Sequence, residues 1–320
     1  MFRSRNSYAI GRLVPAVLLL LVSACASIPA SVRAIDDGAT VVELDHTPFI
    51  PQERYQCGPA ALTTVLTVSG VDVDLQQIVD QVYLPEKQGS LQLEMLAAAR
   101  TAGRLPYVIE GTLAAVWAEL VAGRPVVVLQ NLGIAAIPSW HYAVVIGIDA
   151  QRNAVILRSG SDKRRVTAVN TFLRTWRRGD YWAMVVLRPD ELPANVDRSR
   201  YFKAIAALEQ AMQLDAAALA WQTALAKWSG DPVALFGLGN VRLAAGAFAG
   251  AEALYTELLA ENAGLHVARN NLALALARQG KFDAALEQIA LALAANDAAA
   301  LTRELRHTQE TIHRMQTGAE

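Results

Sequence analysis

Three residues of this sequence, Gln52, Cys57 and His141, carry side chains that acyl-transfer chemistry requires. A cysteine attacks a carbonyl carbon as the thiolate, a histidine accepts its proton, and hydrogen-bond donors stabilise the charge that develops on the carbonyl oxygen. The side-chain amide of Gln52 and the backbone N–H of Cys57 are the donors that we expect. The alternatives are an inert buried cysteine, a histidine satisfied in the core and an ordinary loop glutamine.

Cys57 lies at the start of a predicted helix. Gly58 and Pro59 follow it, apolar residues then recur at helical spacing, and Ser69-Gly70 predict the end of the helix. Proline suits the first helical turn, because an N–H group there has no partner within the helix. The unpaired N–H groups and the helix dipole favour a thiolate over a thiol. We therefore expect the pKa of the Cys57 thiol to be lowered.

One of the five histidines lies where a base for Cys57 is expected. His141 begins an apolar strand pattern within the first domain. The other four fall outside that domain's predicted strands, in the lead-in to the cysteine, in the helical repeats or in the last helix: His46, His266, His307 and His313. Helix-borne Cys57 followed by strand-borne His141 resembles the chain order of papain-like peptidases.

The elements around these residues predict an α+β fold for a first domain at 45–190. Helices are expected from Cys57, after an N-cap at Asp74 and after an N-cap at Ser90. Short apolar strands and hairpins then dominate up to about Leu187. Helices followed by strands without regular crossover helices predict an antiparallel sheet.

The C-terminal part, at 199–316, is predicted to be all-helical and repetitive. Gly246 and Gly280 are 34 residues apart, and large and small residues repeat around them at the same interval. A helix–turn–helix period of this length resembles the tetratricopeptide repeat, which implies a protein partner. The alternative is a generic helical bundle. The expected units are a degenerate repeat at about 199–230, repeats at about 231–264 and 265–298, and a capping helix at about 297–316.

The N-terminus predicts a lipoprotein signal peptide at 1–24. Arginines precede an apolar run that is too short to cross a bilayer, and Val22-Ser-Ala-Cys25 resembles the lipobox of bacterial lipoproteins. Cys25 is the expected lipidation site, followed by a tether at 25–44. Ala26 resembles the pattern of lipoproteins sent to the outer membrane, which implies a lipid-anchored, periplasm-facing protein. The alternative is an ordinary cleaved signal peptide with a chance cysteine.

Charge and composition predict no nucleic-acid partner, no metal and no cofactor. The formal net charge is −1, so no overall field attracts nucleic acid. Basic residues do cluster at 163–165 and 174–178, and we interpret them as solvated faces of a hairpin and a helix. If lipid consumes Cys25, Cys57 is the remaining thiol and no intramolecular disulfide can form.

The block from Gln52 to Leu62, containing Gln56-Cys57-Gly58-Pro59, and the block beginning His141-Tyr142 resemble the double-glycine (bacteriocin-processing) peptidase superfamily. The resemblance covers about 45–190 and implies a papain-like cysteine peptidase. Cys57 would be the nucleophile, His141 the base and Gln52 an oxyanion donor. The whole arrangement resembles bacterial lipoproteins that combine such a domain with tetratricopeptide repeats.

Two departures from that family affect the prediction. Gln56 stands where exporter-linked members usually have an acid, and Arg158-Ser159-Gly160 replaces the usual Asp-Pro. Arginine cannot accept a hydrogen bond, so we predict that Ser159, a backbone carbonyl or water orients His141. Asp149 and Asp162 lie in predicted turns and are weaker candidates.

The sequence thus predicts a cell-envelope cysteine peptidase or amide hydrolase that acts on a peptide or protein. The alternative is a papain-like module with little or no activity that serves as a binding component of an envelope complex.

Overall fold

A seven-stranded sheet forms the centre of the first domain in the computed structural model, which describes residues 40–52, 55–295 and 298–318. The strands are β1 Val41–Glu43, β2 Leu105–Val108, β3 Val126–Asn131, β4 Trp140–Asp149, β5 Ala154–Ser159, β6 Asp162–Ala168 and β7 Ala183–Leu187. Their order is β2-β7-β3-β4-β5-β6, and β1 pairs with the end of β4. Every pairing is antiparallel, which confirms the predicted antiparallel sheet.

Helices cover both faces of this sheet. One face carries α1 Cys57–Val68, α2 Leu75–Val82 and α3 Gln92–Thr101, and the other carries α4 Leu113–Val121 and α5 Val169–Arg177. Successive side chains of a strand point to opposite faces. In β4, Tyr142 and Val144 therefore pack with α1, whereas Ala143 and Val145 belong to the core on the other face.

The cysteine helix begins and ends as predicted. It starts at Cys57, and Ser69 is its C-cap, followed by Gly70 with a φ of +83°. Asp74 caps α2 by accepting a hydrogen bond from the N–H of Gln76. The prediction of Ser90 as the N-cap of α3 is wrong, because Leu91 occupies that position and no side chain caps the helix.

The C-terminal part is all-helical, as predicted. Its described helices are α6 Arg198–Gln210, α7 Leu214–Lys227, α8 Pro232–Ala244, α9 Phe248–Glu261, α10 His266–Ala277, α11 Phe282–Ala295 and α12 Ala299–Thr317. Gly246 and Gly280 lie in the turns after α8 and α10, with φ of +75° and +76°. A Cβ at Gly239 would lie 2.6 Å from the ring of Tyr255, so glycine permits this close packing of α8 and α9.

Packing continues from the sheet into the first C-terminal helices. One core cluster contains Tyr107 of β2 together with Tyr201 of α6 and Trp221 of α7. The N–H of Asp197 donates to the Tyr107 hydroxyl, and the Tyr201 hydroxyl donates to the carbonyl of Glu191. The predicted boundary between 190 and 199 therefore separates two kinds of secondary structure that share one apolar core.

The predicted signal peptide, Cys25 and most of the tether lie outside the described residues. Within the described part of the chain, no helix combines the length and the apolar character needed to cross a membrane.

Candidate active site

The Cys57 thiol lies at an open helix end. Gln56 occupies the N-cap of α1 and makes no side-chain capping hydrogen bond. Three backbone N–H groups near the sulfur act to lower the pKa of the thiol, those of Tyr142, Gly58 and Cys57. Helix N-termini present unpaired N–H groups, and such groups favour a negatively charged partner. Cys57 is also partly buried against the core on the α1 face of the sheet.

The contact with Tyr142 places the thiol beside the strand that carries His141. Tyr142 follows His141 directly in β4, and its buried ring packs edge-on against Trp182. The backbone next to His141 therefore lies beside the Cys57 thiol, where the start of β4 passes the start of α1. The side chains of Cys57 and His141 share no hydrogen bond, and the His141 ring is engaged elsewhere.

His141 is held by Ser159. The distance between His141 Nε2 and Ser159 Oγ is 2.8 Å. Ser159 is buried at the end of β5, next to β4 in the sheet. The predicted contact between these residues is thus present. Nδ1 makes no hydrogen bond within the described part of the chain and is the ring nitrogen left for proton transfer.

Two aspartates that could have served in place of Ser159 lie elsewhere. Asp149 is at the far end of β4, where it accepts a hydrogen bond from the N–H of Arg152. The carboxylate of Asp162 lies 3.7 Å from Arg165. Neither carboxylate contacts the His141 ring, so the group next to the histidine is a neutral hydroxyl.

Burial keeps both members of the pair neutral. It raises the pKa of the Cys57 thiol above its ordinary value of 9.0, although the three N–H groups act in the opposite direction. Burial, helped by the charge of Arg165, lowers the pKa of His141 from 6.5 to about 4. The thiol pKa that we predicted to be lowered is therefore raised, because desolvation outweighs the helix end. At neutral pH the site contains a thiol and an uncharged imidazole.

Gly58 allows α3 to approach the cysteine. A Cβ at Gly58 would lie 2.6 Å from Ser90 Oγ and 2.7 Å from Ser90 Cβ. Ser90 Oγ is buried and has no hydrogen-bond partner in the part of the chain that the structure describes. The sequence marked Ser90 as a helix cap, whereas the structure places it against the residue that follows the nucleophile.

Exposed apolar side chains lie just before His141 in the chain and at the start of α3. The loop between β3 and β4 carries Ile137, which is 73% exposed. Trp140 at the start of β4 is 54% exposed, and Leu93 at the start of α3 is 73% exposed. The base of the loop is fixed, because Asn131 Oδ1 accepts hydrogen bonds from the N–H groups at 133 and 139. Ile137 and Trp140 thus lie just before His141 in the chain.

Gln52 is within the described residues, at the end of the lead-in to α1. Among the described residues, none forms a hydrogen bond with its amide, so its oxyanion role stays a prediction.

Arg158 is a residue whose role the sequence did not reveal. It is 5% exposed and donates hydrogen bonds to three backbone carbonyls, at Asp45, Thr47 and Lys163. The sequence feature that could have indicated this role is a charged residue at the end of an otherwise apolar strand.

Part of the chain is similar to a known protein family. Residues 44–184, less than half of the 320-residue chain, match the model of the Peptidase_C39 like family. None of the curated proteins compared with the chain matches it.

Two solved structures are also similar. A protein from Bacillus anthracis described as a C39-like peptidase is 16% identical, with a TM-score of 0.40 over 47% of this chain and 98% of its own. A double glycine motif protease from an AMS/PCAT transporter, in complex with the leader peptide, is 21% identical, with a TM-score of 0.33 over 43% of this chain and 89% of its own. By the match of its residues 44–184 to the family model, the first domain is similar to the Peptidase_C39 like family, and this family match supports a cysteine peptidase.

Proposed function

We propose that this chain is a cell-envelope cysteine peptidase or related amide hydrolase. The observation that supports the proposal most directly is the placement of the Cys57 thiol against the N–H of Tyr142, one residue from a histidine held by Ser159. The family match favours an enzyme over the alternative of an inactive binding module. The substrate class we propose is a peptide or protein.

The neutral resting state defines the first chemical step. Cys57 Sγ attacks the substrate carbonyl carbon while its proton moves to Nδ1 of His141. For Nδ1 to accept this proton, Nε2 has to carry hydrogen and donate it to Ser159 Oγ, and the 2.8 Å contact accommodates this tautomer because a hydroxyl can accept. The N–H of Cys57 and the amide of Gln52 would stabilise the oxyanion.

The later steps return the site to its starting state. The tetrahedral intermediate expels the amine, which takes the proton from His141 and leaves an acyl group on sulfur. His141 then accepts a proton from water, whose oxygen attacks the acyl carbon. The second intermediate releases the carboxylic acid, and the sulfur is reprotonated. No step requires a metal or a cofactor.

An acylating probe tests this proposal. We expect p-nitrophenyl acetate to acetylate Cys57, seen by intact mass spectrometry and peptide mapping, and to be turned over. Cys57→Ser should abolish the adduct on this residue, and His141→Asn should slow its formation by about 100-fold or more, as loss of a general base does. Equal turnover by the parent and Cys57→Ser would contradict the proposal.

We also propose that lipid at Cys25 anchors the chain to the outer membrane, facing the periplasm. The support is the sequence alone. Cys25→Ser should leave the precursor unprocessed or release unlipidated protein, which detergent partitioning distinguishes from the parent. Membrane fractionation of the variant equal to that of the parent would show that lipid is not the anchor.

The C-terminal helices are proposed to form a tetratricopeptide-type scaffold for a protein partner. Support comes from the 34-residue interval between Gly246 and Gly280, both in turns with positive φ. We expect a stoichiometric partner to co-purify with the full chain and to be lost when the chain ends after Gly230. Retention of the partner by the shortened chain would contradict this role.

A further inference from the structure

Arg158 is a buried cation whose hydrogen bonds, among the described residues, all go to backbone carbonyls. Its Nε and Nη2 lie 3.1 Å and 2.7 Å from the Thr47 carbonyl, Nη2 lies 2.8 Å from the Asp45 carbonyl, and Nη1 contacts the Lys163 carbonyl. Removing a charged group from water is costly unless its hydrogen bonds are replaced. Three carbonyls from two different segments replace them here. The guanidinium therefore acts as a link between those segments.

One of the linked segments leads to the predicted oxyanion donor. We call residues 44–52 the lead-in segment. Its first half is tied to the sheet, because the N–H of Leu44 donates to the Ile146 carbonyl at 2.7 Å and the N–H of Thr47 donates to the Leu44 carbonyl at 3.0 Å.

After Thr47 the lead-in segment has few means of attachment. Pro48 and Pro51 have no N–H to donate. Across 48–52, no backbone–backbone hydrogen bond occurs among the described residues. Among the described residues, the Arg158 contacts at Asp45 and Thr47 are thus the last hydrogen-bonded anchor before Gln52.

The other end of the link is the strand that holds the histidine. Arg158 directly precedes Ser159 in β5, and adjacent strand residues point to opposite faces. Ser159 contacts the His141 ring, while Arg158 reaches the lead-in segment. The end of β5 therefore connects the proposed base with the segment that carries the proposed oxyanion donor.

We propose that Arg158 is a positioning residue that fixes the lead-in segment so that the Gln52 amide can reach the oxyanion. This inference rests on the proposed hydrolase function. Arg158 itself touches no reacting atom, and its effect on catalysis passes through Gln52. Lysine cannot replace it fully, because one ammonium cannot reproduce the planar fork that spans these carbonyls.

The experiment compares two reactions of the same sulfur in the full chain. Acetylation by p-nitrophenyl acetate develops an oxyanion, whereas alkylation by iodoacetamide does not. Arg158→Met should slow acetylation by about tenfold or more, with alkylation changed less than about twofold. Arg158→Lys should retain part of the acetylation rate and serves if the methionine variant fails to fold. The matched control is Arg164→Met, since Arg164 is exposed on the next strand and pairs with Glu43.

A double-mutant cycle shows whether the effect passes through Gln52. Gln52→Ala should slow acetylation, and adding Arg158→Met should then produce little further loss, because residues that act as one unit are non-additive. Full additivity of the two losses, or an equal fall in alkylation and acetylation, would overturn the positioning role. Absence of acetylation in the parent, with normal alkylation of Cys57, would overturn the proposed hydrolase instead, and this inference with it.

Discussion

Replacement of Ser159 by alanine tests how the site orients its base. The change removes a single neutral hydroxyl, 2.8 Å from His141 Nε2, and Ser159 is buried, so water has little access to take its place. A neutral hydrogen bond contributes about 0.5–1.5 kcal/mol net. Each factor of ten in rate corresponds to about 1.4 kcal/mol. We therefore expect kcat/KM to fall between about twofold and about tenfold.

The charge of the residue at position 159, which faces His141, is the basis for the second half of this prediction. Ser159→Asp would place an anion next to the ring, which favours imidazolium and raises the pKa of His141 from about 4. Because the base must be neutral in the free enzyme, the acid limb of kcat/KM should lie near pH 4 in the parent and move to higher pH in Ser159→Asp. Ser159→Ala introduces no charge, so its acid limb should stay near that of the parent. The imidazolium formed during catalysis is also better stabilised by aspartate, so the maximal rate is expected to rise.

The assay is turnover of p-nitrophenyl acetate from about pH 4 to pH 9, with folding checked by circular dichroism. Ser161→Ala is the matched control, because Ser161 is exposed in the turn between β5 and β6. The reasoning fails if Ser159→Ala has no effect while Asp149→Asn or Asp162→Asn abolishes turnover in a folded protein. That result would identify a carboxylate as the partner of His141.

Three further predictions concern stability. The pKa of His141 is depressed to about 4 from 6.5, so the unfolded chain binds a proton before the folded chain does as pH falls. The free energy of unfolding should therefore decline by about 3 kcal/mol between pH 6.5 and pH 4. Urea unfolding of His141→Asn should show a smaller decline over the same range. Gly58→Ala should destabilise the protein by about 1–3 kcal/mol in urea unfolding, because the added Cβ overlaps Ser90. Adding Ser90→Gly should restore part of that loss. An unchanged unfolding midpoint in Gly58→Ala would mean that α1 and α3 shift freely. A chain ended after Leu192 should bind a hydrophobic dye and lose cooperative unfolding, because it lacks the α6 and α7 residues that share the core of the sheet. A chain ended after Gly230 keeps them and should unfold cooperatively. Cooperative unfolding of the shorter chain would show an independent first core.

The sequence was informative where short-range chemistry decides the outcome. Helical spacing behind Cys57, a proline in the first turn and Ser69-Gly70 at its end located α1, because these are local requirements of a helix. The apolar strand after His141 was found for the same reason. The type of chemistry followed from the residues themselves, since a cysteine, a histidine and a glutamine have few other joint uses.

Ser90 and Gly58 show where local patterns were insufficient. A serine before a helical pattern is a usual N-cap, yet the helix begins without its hydroxyl, and Ser90 instead packs against Gly58. Which of two local roles a side chain adopts depends here on the approach of another helix. That approach is determined by the packing of α1 and α3 against the sheet.

The sequence by itself determined the α+β class, the all-helical C-terminal part and Cys57 and His141 as the candidate pair. Only the tertiary structure decided that the sheet and α6 share a core, that Arg158 ties the lead-in segment to β5, and that the thiol pKa is raised. The physical reason is that the helix end at Cys57 is a local property, whereas desolvation depends on which distant residues cover the site. The sign of the pKa shift reflects the larger of these two effects, and that effect is non-local.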